Sequence, residues 1–398
     1  MTQNLSQRPR HTWTVLAGLA LIGLGIEAGC APGKSDGGQL SEEARDAIQG
    51  LLEDTWAEVI SPSLSTARAA AASLADATTA WSEDASSTEA RAEAKSAWMD
   101  ALAAWQETEV MQVGPAGDSI KVVGGESLRD EIYSWPLTNP CMVDQRTVRG
   151  EYAEDGFLGD VLVNSTGFDA LETLLFSEPN THGCPSIVLD DADWEALGAD
   201  GIAQARADYA DVLANQIVLD IDSIVSGWEA GFGEDLASAG TEGSSFIAQI
   251  EGANAIFDAL FYLETRVKDR KLGWALNLTD CGADTCMDEI ETPVAGGSQV
   301  WLASNLKGFR TLFTGGEGMG MDELLVSVGH EDLANEVMSN LDAADAAVSA
   351  LDAPFDTVDT EKLNAAHAAV KKVTDLLKSD IATVLTLQVP SEAAGDND

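Results

Sequence analysis

Three glutamates stand where helical periodicity predicts an apolar face. With side chains placed about 100° apart around a helix, Glu172 falls between Phe168 and Phe176 in the stretch STGFDALETLLF. The same projection puts Glu109 on a tryptophan stripe and Glu264 on a phenylalanine stripe. A buried carboxylate is costly unless it is paired, protonated or bound to a metal. These acids are therefore the first candidates for chemistry.

A metal site is the sharpest interpretation of the acids. Asp169 lies at the edge of the same face as Glu172, three residues before it, so both side chains can reach one ion. Helical bundles build hard-cation sites from inward carboxylates. We expect Asp169, Glu172 and Glu109 to bind a divalent or ferric cation.

Each acid also has a structural interpretation. Thr166 and Asp169 have capping-box spacing, so Asp169 is equally expected to cap its helix. Glu172 is equally expected to pair with a buried Arg, Tyr or backbone group. Glu109 lies near a helix end, where the projection is least informative, and a structural role is favoured there.

Glu264 is followed by three cations, Arg266, Lys268 and Arg270. A structural ion pair is the favoured interpretation of this acid.

Other catalytic patterns find little support. The chain has four histidines and no HExxH, so the common zinc-protease helix is absent. His182, in the loop after the motif helix, is a candidate late ligand, although loop histidines are usually solvated. GxSxG, GxxxxGK[ST] and GxGxxG do not occur as placed motifs.

The elements that carry these residues are predicted to be almost all α-helical. Alanine-rich stretches with aromatics at helical spacing dominate, and FDAL recurs at 168–171 and 257–260. We predict two four-helix-bundle-like domains, 41–195 and 196–390, as a pseudo-repeat, and a disordered tail at 391–398. The predicted helices span about 41–81 with a break or kink at Pro62, a second from a Ser86–Glu89 capping box, 200–232, 244–271, 297–313, 321–351 and 360–387.

The N-terminus predicts export. Residues 1–29 combine a basic start with an apolar run that is short for a membrane span, as in a secretory signal. The Gly29-Cys30 junction resembles a bacterial lipoprotein signal and makes Cys30 the expected lipidation site, although Glu27 departs from that pattern. Residues 30–40 form a predicted flexible tether.

The remaining cysteines predict a disulfide framework, because an exported chain has an even number of them. Cys281 and Cys286 enclose a tight loop and are expected to pair, which leaves Cys141 with Cys184. A four-cysteine zinc site is the minority interpretation, since CxxC pairs are absent.

The formal charge of −45 describes an acidic surface. It suits solubility or the concentration of cations. Nucleic acid and anionic lipid are unfavourable partners, because no basic patch is visible.

A tryptophan helix leads into Gly114-Pro115, and a later segment ends in Trp135-Pro136. In this order, these segments resemble the imelysin family of bacterial envelope proteins. The hallmark Gly-x-His-x-x-Glu aligns with GFDALE, so that Gly167 and Glu172 match it. SNLKGFRTLFTGG at 304–316 is similar to the family's C-terminal segment.

The resemblance implies an all-helical two-bundle fold, a bacterial envelope location, often as a lipoprotein, and a link to iron uptake. Asp169 replaces the hallmark histidine, and an oxygen ligand in place of nitrogen favours harder ions over zinc. A His–Glu peptidase site is thereby put in doubt.

We therefore predict an exported, lipid-anchored, non-catalytic protein in the outer membrane or facing the periplasm. It would bind a metal cation or a metal-loaded partner among iron-uptake components, with a lipid anchor as its only membrane attachment. The alternatives are a metallopeptidase that uses Glu172, with His182 or Glu109 as a further ligand, and a metal-free interaction scaffold. No catalytic residue is assigned.

Overall fold

The computed structural model describes residues 41–178, 181–189, 191–282, 286–352 and 354–394. Those residues form helices and no β-strand, which confirms the all-α prediction. The α-helices are α1 Glu42–Asp54, α2 Ser61–Glu83, α3 Thr88–Thr108, α4 Leu128–Ile132, α5 Pro140–Arg149, α6 Phe157–Asp160, α7 Gly167–Phe176, α8 Asp191–Gly227, α9 Gly233–Ala237, α10 Gln249–Leu260, α11 Gly273–Ala275, α12 Ser298–Thr314, α13 Met321–Ser327, α14 Glu331–Ser349, α15 Thr360–Leu376, α16 Ala382–Leu385 and α17 Ser391–Ala394.

Wider and tighter helical turns join these helices. The π-helical segments are Thr55–Ile60, Trp228–Phe232, Leu263–Leu272 and Leu377–Ile381. The 3₁₀ turns are Gly114–Ala116, Glu151–Ala153, Val163–Ser165 and Cys286–Glu289.

The predicted signal peptide and the whole of the predicted tether, with Cys30, lie outside the described residues. Within the described part of the chain, no helix is long and apolar enough to cross a membrane.

Helices α2, α3 and α8 pack side by side, and α7 lies against α8 and α3. Their contact faces carry fully buried tryptophans, including Trp81, Trp98 and Trp105. Burying such aromatic area is the main stabilising contribution in a bundle of this kind. The resulting core holds α7, and with it the motif, against α3 and α8.

Among the contacts that join the later helices to this group is a close crossing of α12 over α3. Helix α12 packs on α3 and also on α14, which pairs with α15. At the crossing, a Cβ on Gly308 would lie 2.0 Å from the Glu107 carbonyl oxygen. A glycine is therefore required for α12 to approach the α3 backbone this closely.

The helix limits differ locally from the predictions. The α3 cap is Ser87, whose hydroxyl accepts from the Ala90 N–H at 3.1 Å, and not Ser86. The predicted helix at 321–351 is two helices, α13 and α14, because Gly329 between them has φ +84°. The predicted break or kink at Pro62 lies where α2 follows the π-helical segment Thr55–Ile60. Because proline has no backbone N–H, the hydrogen bonds of that wide turn do not continue through it.

The C-terminal prediction also needs a correction. Residues 391–394 form the short helix α17, in which Ala393 is buried, where we predicted disorder. Residues 395–398 lie outside the described part. The packing of Ala393 stabilises this short helix, and the composition of the segment does not reveal such packing.

Both predicted disulfides are present. Cys141 pairs with Cys184, and Cys281 pairs with Cys286. The first links α5, which precedes α7, to the loop that follows α7.

The division into domains at 195 and 196 and the pseudo-repeat stay predictions. The described residues, which lie between 41 and 394, belong to one compact unit. Helix α8, which spans the predicted boundary with a kink at Gly198, packs on α2 and α7 of the first half.

Candidate functional site

The motif helix α7 starts against the backbone of the segment that ends α4. Gly167 has φ +65°, and a Cβ there would lie 2.4 Å from the carbonyl oxygen of Ile132. Only glycine tolerates both the left-handed backbone and this approach. The first motif residue thus permits α7 to dock on the chain just before Ser134.

Asp169 uses that proximity. Its Oδ2 accepts the backbone N–H groups of Ser134 at 2.7 Å and Trp135 at 3.0 Å, and the Ser134 hydroxyl at 3.2 Å. Thr166 makes no side-chain cap bond, so the capping-box interpretation is not what the structure contains. Asp169 binds a neighbouring segment instead of its own helix.

Burial raises the pKa of Asp169 to about 6, although hydrogen bonds from Thr138 and Ser134 and the charge of Arg129 lower it. The carboxyl is only 3% exposed. Desolvation therefore outweighs all of these favourable interactions at this position.

Glu172 binds a different segment. Its Oε1 accepts the backbone N–H groups of Val294 at 2.9 Å and Ala295 at 2.8 Å. Burial raises its pKa to about 7 against these two hydrogen bonds, and the nearby Asp169 and Glu291 raise it further. Of the interpretations left open by the sequence, the backbone partner is the one observed.

Glu109 pairs with Arg129, in agreement with a structural role. The Arg129 Nε donates to Glu109 Oε1 at 2.7 Å, and both side chains are buried. Burial alone would lower the pKa of Arg129, but the Glu109 carboxylate raises it overall. Glu109 is thus neutralised by its own cation.

Glu264 is fully buried and pairs with Lys268 at 3.4 Å and with Lys378. The expected structural ion pair is present, and a lysine from the Leu377–Ile381 segment takes part in it.

The centre of the site is a residue that sequence reasoning missed. Glu291 Oε1 accepts from the Gln106 amide at 2.8 Å and the Tyr133 hydroxyl at 2.7 Å, and lies 2.9 Å from Lys271 Nζ. Lys271 also donates to Gln106 at 2.6 Å and to Asn305 at 2.9 Å. This buried network joins α3, α12, the Leu263–Leu272 segment and two loops.

Glu291 precedes the pair of N–H groups that Glu172 accepts. Asp169, Glu172 and Glu291 line one buried region, in which the charges of Asp169 and Glu291 raise the pKa of Glu172. The available sequence signal was Lys271, which follows the charged residues KDR and begins the apolar run LGWAL; a lysine buried there needs a counter-charge.

The arrangement does not fit a bare metal ion at the predicted place. No three His, Cys, Asp or Glu side chains among the described residues are grouped so as to hold one. One oxygen of Asp169 and one of Glu172 are occupied by N–H donors, and Glu109 is occupied by Arg129. The cation at these three acids stays a prediction that this geometry disfavours.

His182 lies in a different environment. Its ring contacts Trp194 edge-on at 5.2 Å, and its Nδ1 accepts from the Cys184 N–H at 3.3 Å. It packs beside the first disulfide.

The first pair of family landmarks forms a tight turn. Gly114 and Pro115 begin the Gly114–Ala116 turn, and all three residues are buried. A Cβ on Gly114, at φ +60°, would lie 2.4 Å from the ring of Phe232. The turn therefore packs directly beneath that aromatic ring.

The second pair lies beside the site. Trp135 donates its indole N–H to the Glu289 carbonyl at 3.2 Å, and Pro136 follows through a cis peptide bond. The segment held by Asp169 is thereby tied also to the loop that carries Glu291.

A sequence profile described as Imelysin, peptidase M75, matches residues 60–383. None of the curated proteins searched matches significantly.

Two solved structures share the fold. One is an iron-regulated protein A precursor from Parabacteroides distasonis, with TM-score 0.67 and 16% identity over 88% of this chain and 96% of that one. The other is an imelysin-like protein from Psychrobacter arcticum, with TM-score 0.65 and 15% identity over 88% and 98%. With a family profile spanning most of its length and the same fold in both structures, the chain belongs to the imelysin family.

Proposed function

We propose that this protein is exported to the bacterial cell envelope, anchored through a lipid on Cys30, and supports iron uptake by binding a metal-loaded partner without cleaving it. Membership of the imelysin family supports the envelope role. The similar structure from Parabacteroides distasonis is described as iron-regulated, which supports the link to iron.

One observation carries the non-catalytic part of the proposal. Asp169 and Glu172 both spend an oxygen on backbone N–H groups of other segments. A metallopeptidase needs protein ligands around an open metal position that activates water. Carboxylates whose oxygens accept backbone N–H groups are poorly placed to ligate such a metal ion, and Asp169 supplies no nitrogen ligand.

A cleavage assay tests this part. The full chain is incubated with an unfolded protein and Zn²⁺ or Fe²⁺, beside its Glu172→Gln variant. We expect the same absence of fragments in both samples. Metal-dependent fragments that disappear in Glu172→Gln would overturn the proposal and establish the metallopeptidase.

A genetic experiment tests the iron part. A strain of the source bacterium that lacks the gene is expected to grow more slowly than the parent only when an iron chelator is added. Equal growth at every chelator concentration would refute the role in iron uptake.

The anchor has its own test. Palmitate labelling of the chain is expected, and it should disappear in Cys30→Ala. Equal labelling of the variant, or none in the wild type, would reject Cys30 as the anchor.

A further inference from the structure

A cavity of about 520 Å³ lies away from the motif acids. Its walls come from the loop after α3, from α10 with the π-helical segment that continues it, and from the C-terminal stretch around α17. Small-molecule sites commonly occupy about 300–1,000 Å³. The space is therefore large enough for a small organic ligand.

The walls combine an apolar surface with scattered polar groups. Phe246, Ile250 and Phe261 supply much of the apolar part, and Asn254 and Gln388 supply amides. This combination is typical of sites that bury a ligand body and orient it by a few polar contacts.

Arg266 is the distinctive residue of this cavity. It lies in the Leu263–Leu272 π-helical segment, a type of turn that is frequent at functional sites. Among the described residues, none forms a hydrogen bond or ion pair with its guanidinium, in contrast to neighbouring Arg129, which Glu109 neutralises. Burial lowers the pKa of Arg266 to about 10, with further lowering by Arg129 and Arg270.

The other charged groups on the wall already have partners. Lys121 pairs with Glu392 across the rim, and Asp118 accepts the backbone N–H of Ile120. Glu251 accepts a backbone N–H, and Asp258 accepts from an asparagine amide. Within the described part of the chain, Arg266 is thus the cation of this wall that has no ion-pair partner of its own.

These acids also limit the charge of a ligand. Four carboxylates and two cations line the space, so a polyanion would be repelled by the carboxylates. A single carboxylate matches the forked donors of one guanidinium.

We propose that this cavity binds a small organic monocarboxylate, with its carboxylate on the guanidinium of Arg266 and its apolar body against Phe246, Ile250 and Phe261. The site is separate from the motif acids and does not depend on the proposed role in iron uptake.

Calorimetry on the purified full chain tests the proposal with 4-phenylbutyrate, shorter phenylalkanoates and acetate as probes. We expect at least one phenylalkanoate to bind. The amide of the same acid and phenyl phosphate should bind at least about tenfold more weakly, a difference of about 1.4 kcal/mol. Failure of every monocarboxylate, or equal binding of the amide or the phosphate, would overturn the proposal with wild-type protein alone.

Variants then locate the carboxylate. Arg266→Met keeps the length of the stem and should lose about tenfold or more in affinity, whereas Arg266→Lys should lose less. Arg68→Met, which removes an exposed cation paired with Asp222, is the matched control and should bind as the wild type does. Equal affinity in folded Arg266→Met and wild type would reject Arg266 as the anchor.

Discussion

At the scale of single residues, the family motif acts in this chain as a set of clamps. Gly167 lets α7 approach the 132–135 backbone, Asp169 accepts two N–H groups from it, and Glu172 accepts two from the 294–295 loop. Each orphan donor left in such a buried place would cost about 1–3 kcal/mol. The motif acids therefore stabilise the loops around the network of Glu291.

The raised pKa of Glu172 predicts a pH-dependent stability. Its folded pKa of about 7 lies above the ordinary 4.5, so its contribution is complete below pH 4.5 and is lost as pH rises through 7. That loss is on the order of 3 kcal/mol. Glu172→Gln keeps an acceptor oxygen and lacks the titration, so its stability relative to wild type should improve from pH 5 to pH 8.

Thermal unfolding of both proteins at the two pH values checks this prediction. Glu317→Gln, at an exposed position, is the control and should track the wild type. A constant difference between Glu172→Gln and wild type at both pH values would contradict a raised pKa.

Two glycine variants separate the stability cost of backbone strain from the cost of the close contact between Gly167 and the Ile132 carbonyl oxygen. Gly167→Ala adds a Cβ at positive φ and 2.4 Å from a carbonyl oxygen, whereas Gly156→Ala, also at positive φ, meets nothing within 4 Å. The strain alone costs on the order of 1 kcal/mol. In urea unfolding we expect Gly167→Ala to lose at least about 2 kcal/mol more than Gly156→Ala, and equal losses would refute the docking role of Gly167.

At the scale of elements, buried polar pairs hold the helices in register. The Glu291–Lys271 pair ties a loop to the π-helical segment, and Gln106 and Asn305 add α3 and α12 to the same network. Helical projection could not find these partners. Glu291 lies in a loop, and Lys271 lies in a wide turn where 100° per residue no longer holds.

Lys271→Met should destabilise the chain by about 3–5 kcal/mol, because it leaves the Glu291 carboxylate buried without its cation. Adding Glu291→Gln removes that charge and should restore part of the loss. Free energies of unfolding for the single and double variants form a double-mutant cycle. Additive losses would mean that the two side chains do not depend on each other.

At the scale of the whole molecule, the sequence was sufficient for the class of fold, the family and both disulfides. Periodicity predicts all of the long helices, since burial of aromatic stripes decides them. The breaks between helices were missed where one glycine decides, as at Gly329. The site was predicted only in part. Helical periodicity shows which acids point into the core, but whether such an acid binds a metal or a backbone N–H group depends on loops distant in sequence.

The central claim is that Glu172 holds a loop and does not ligate a metal ion. Calorimetric titration of wild type and Glu172→Gln with Fe²⁺, Fe³⁺, Zn²⁺ and Ca²⁺ tests it most directly. The account predicts the same heats for both proteins with each ion, since any weak binding belongs to the acidic surface. Stoichiometric binding of one ion that is present in wild type and lost in Glu172→Gln would contradict it.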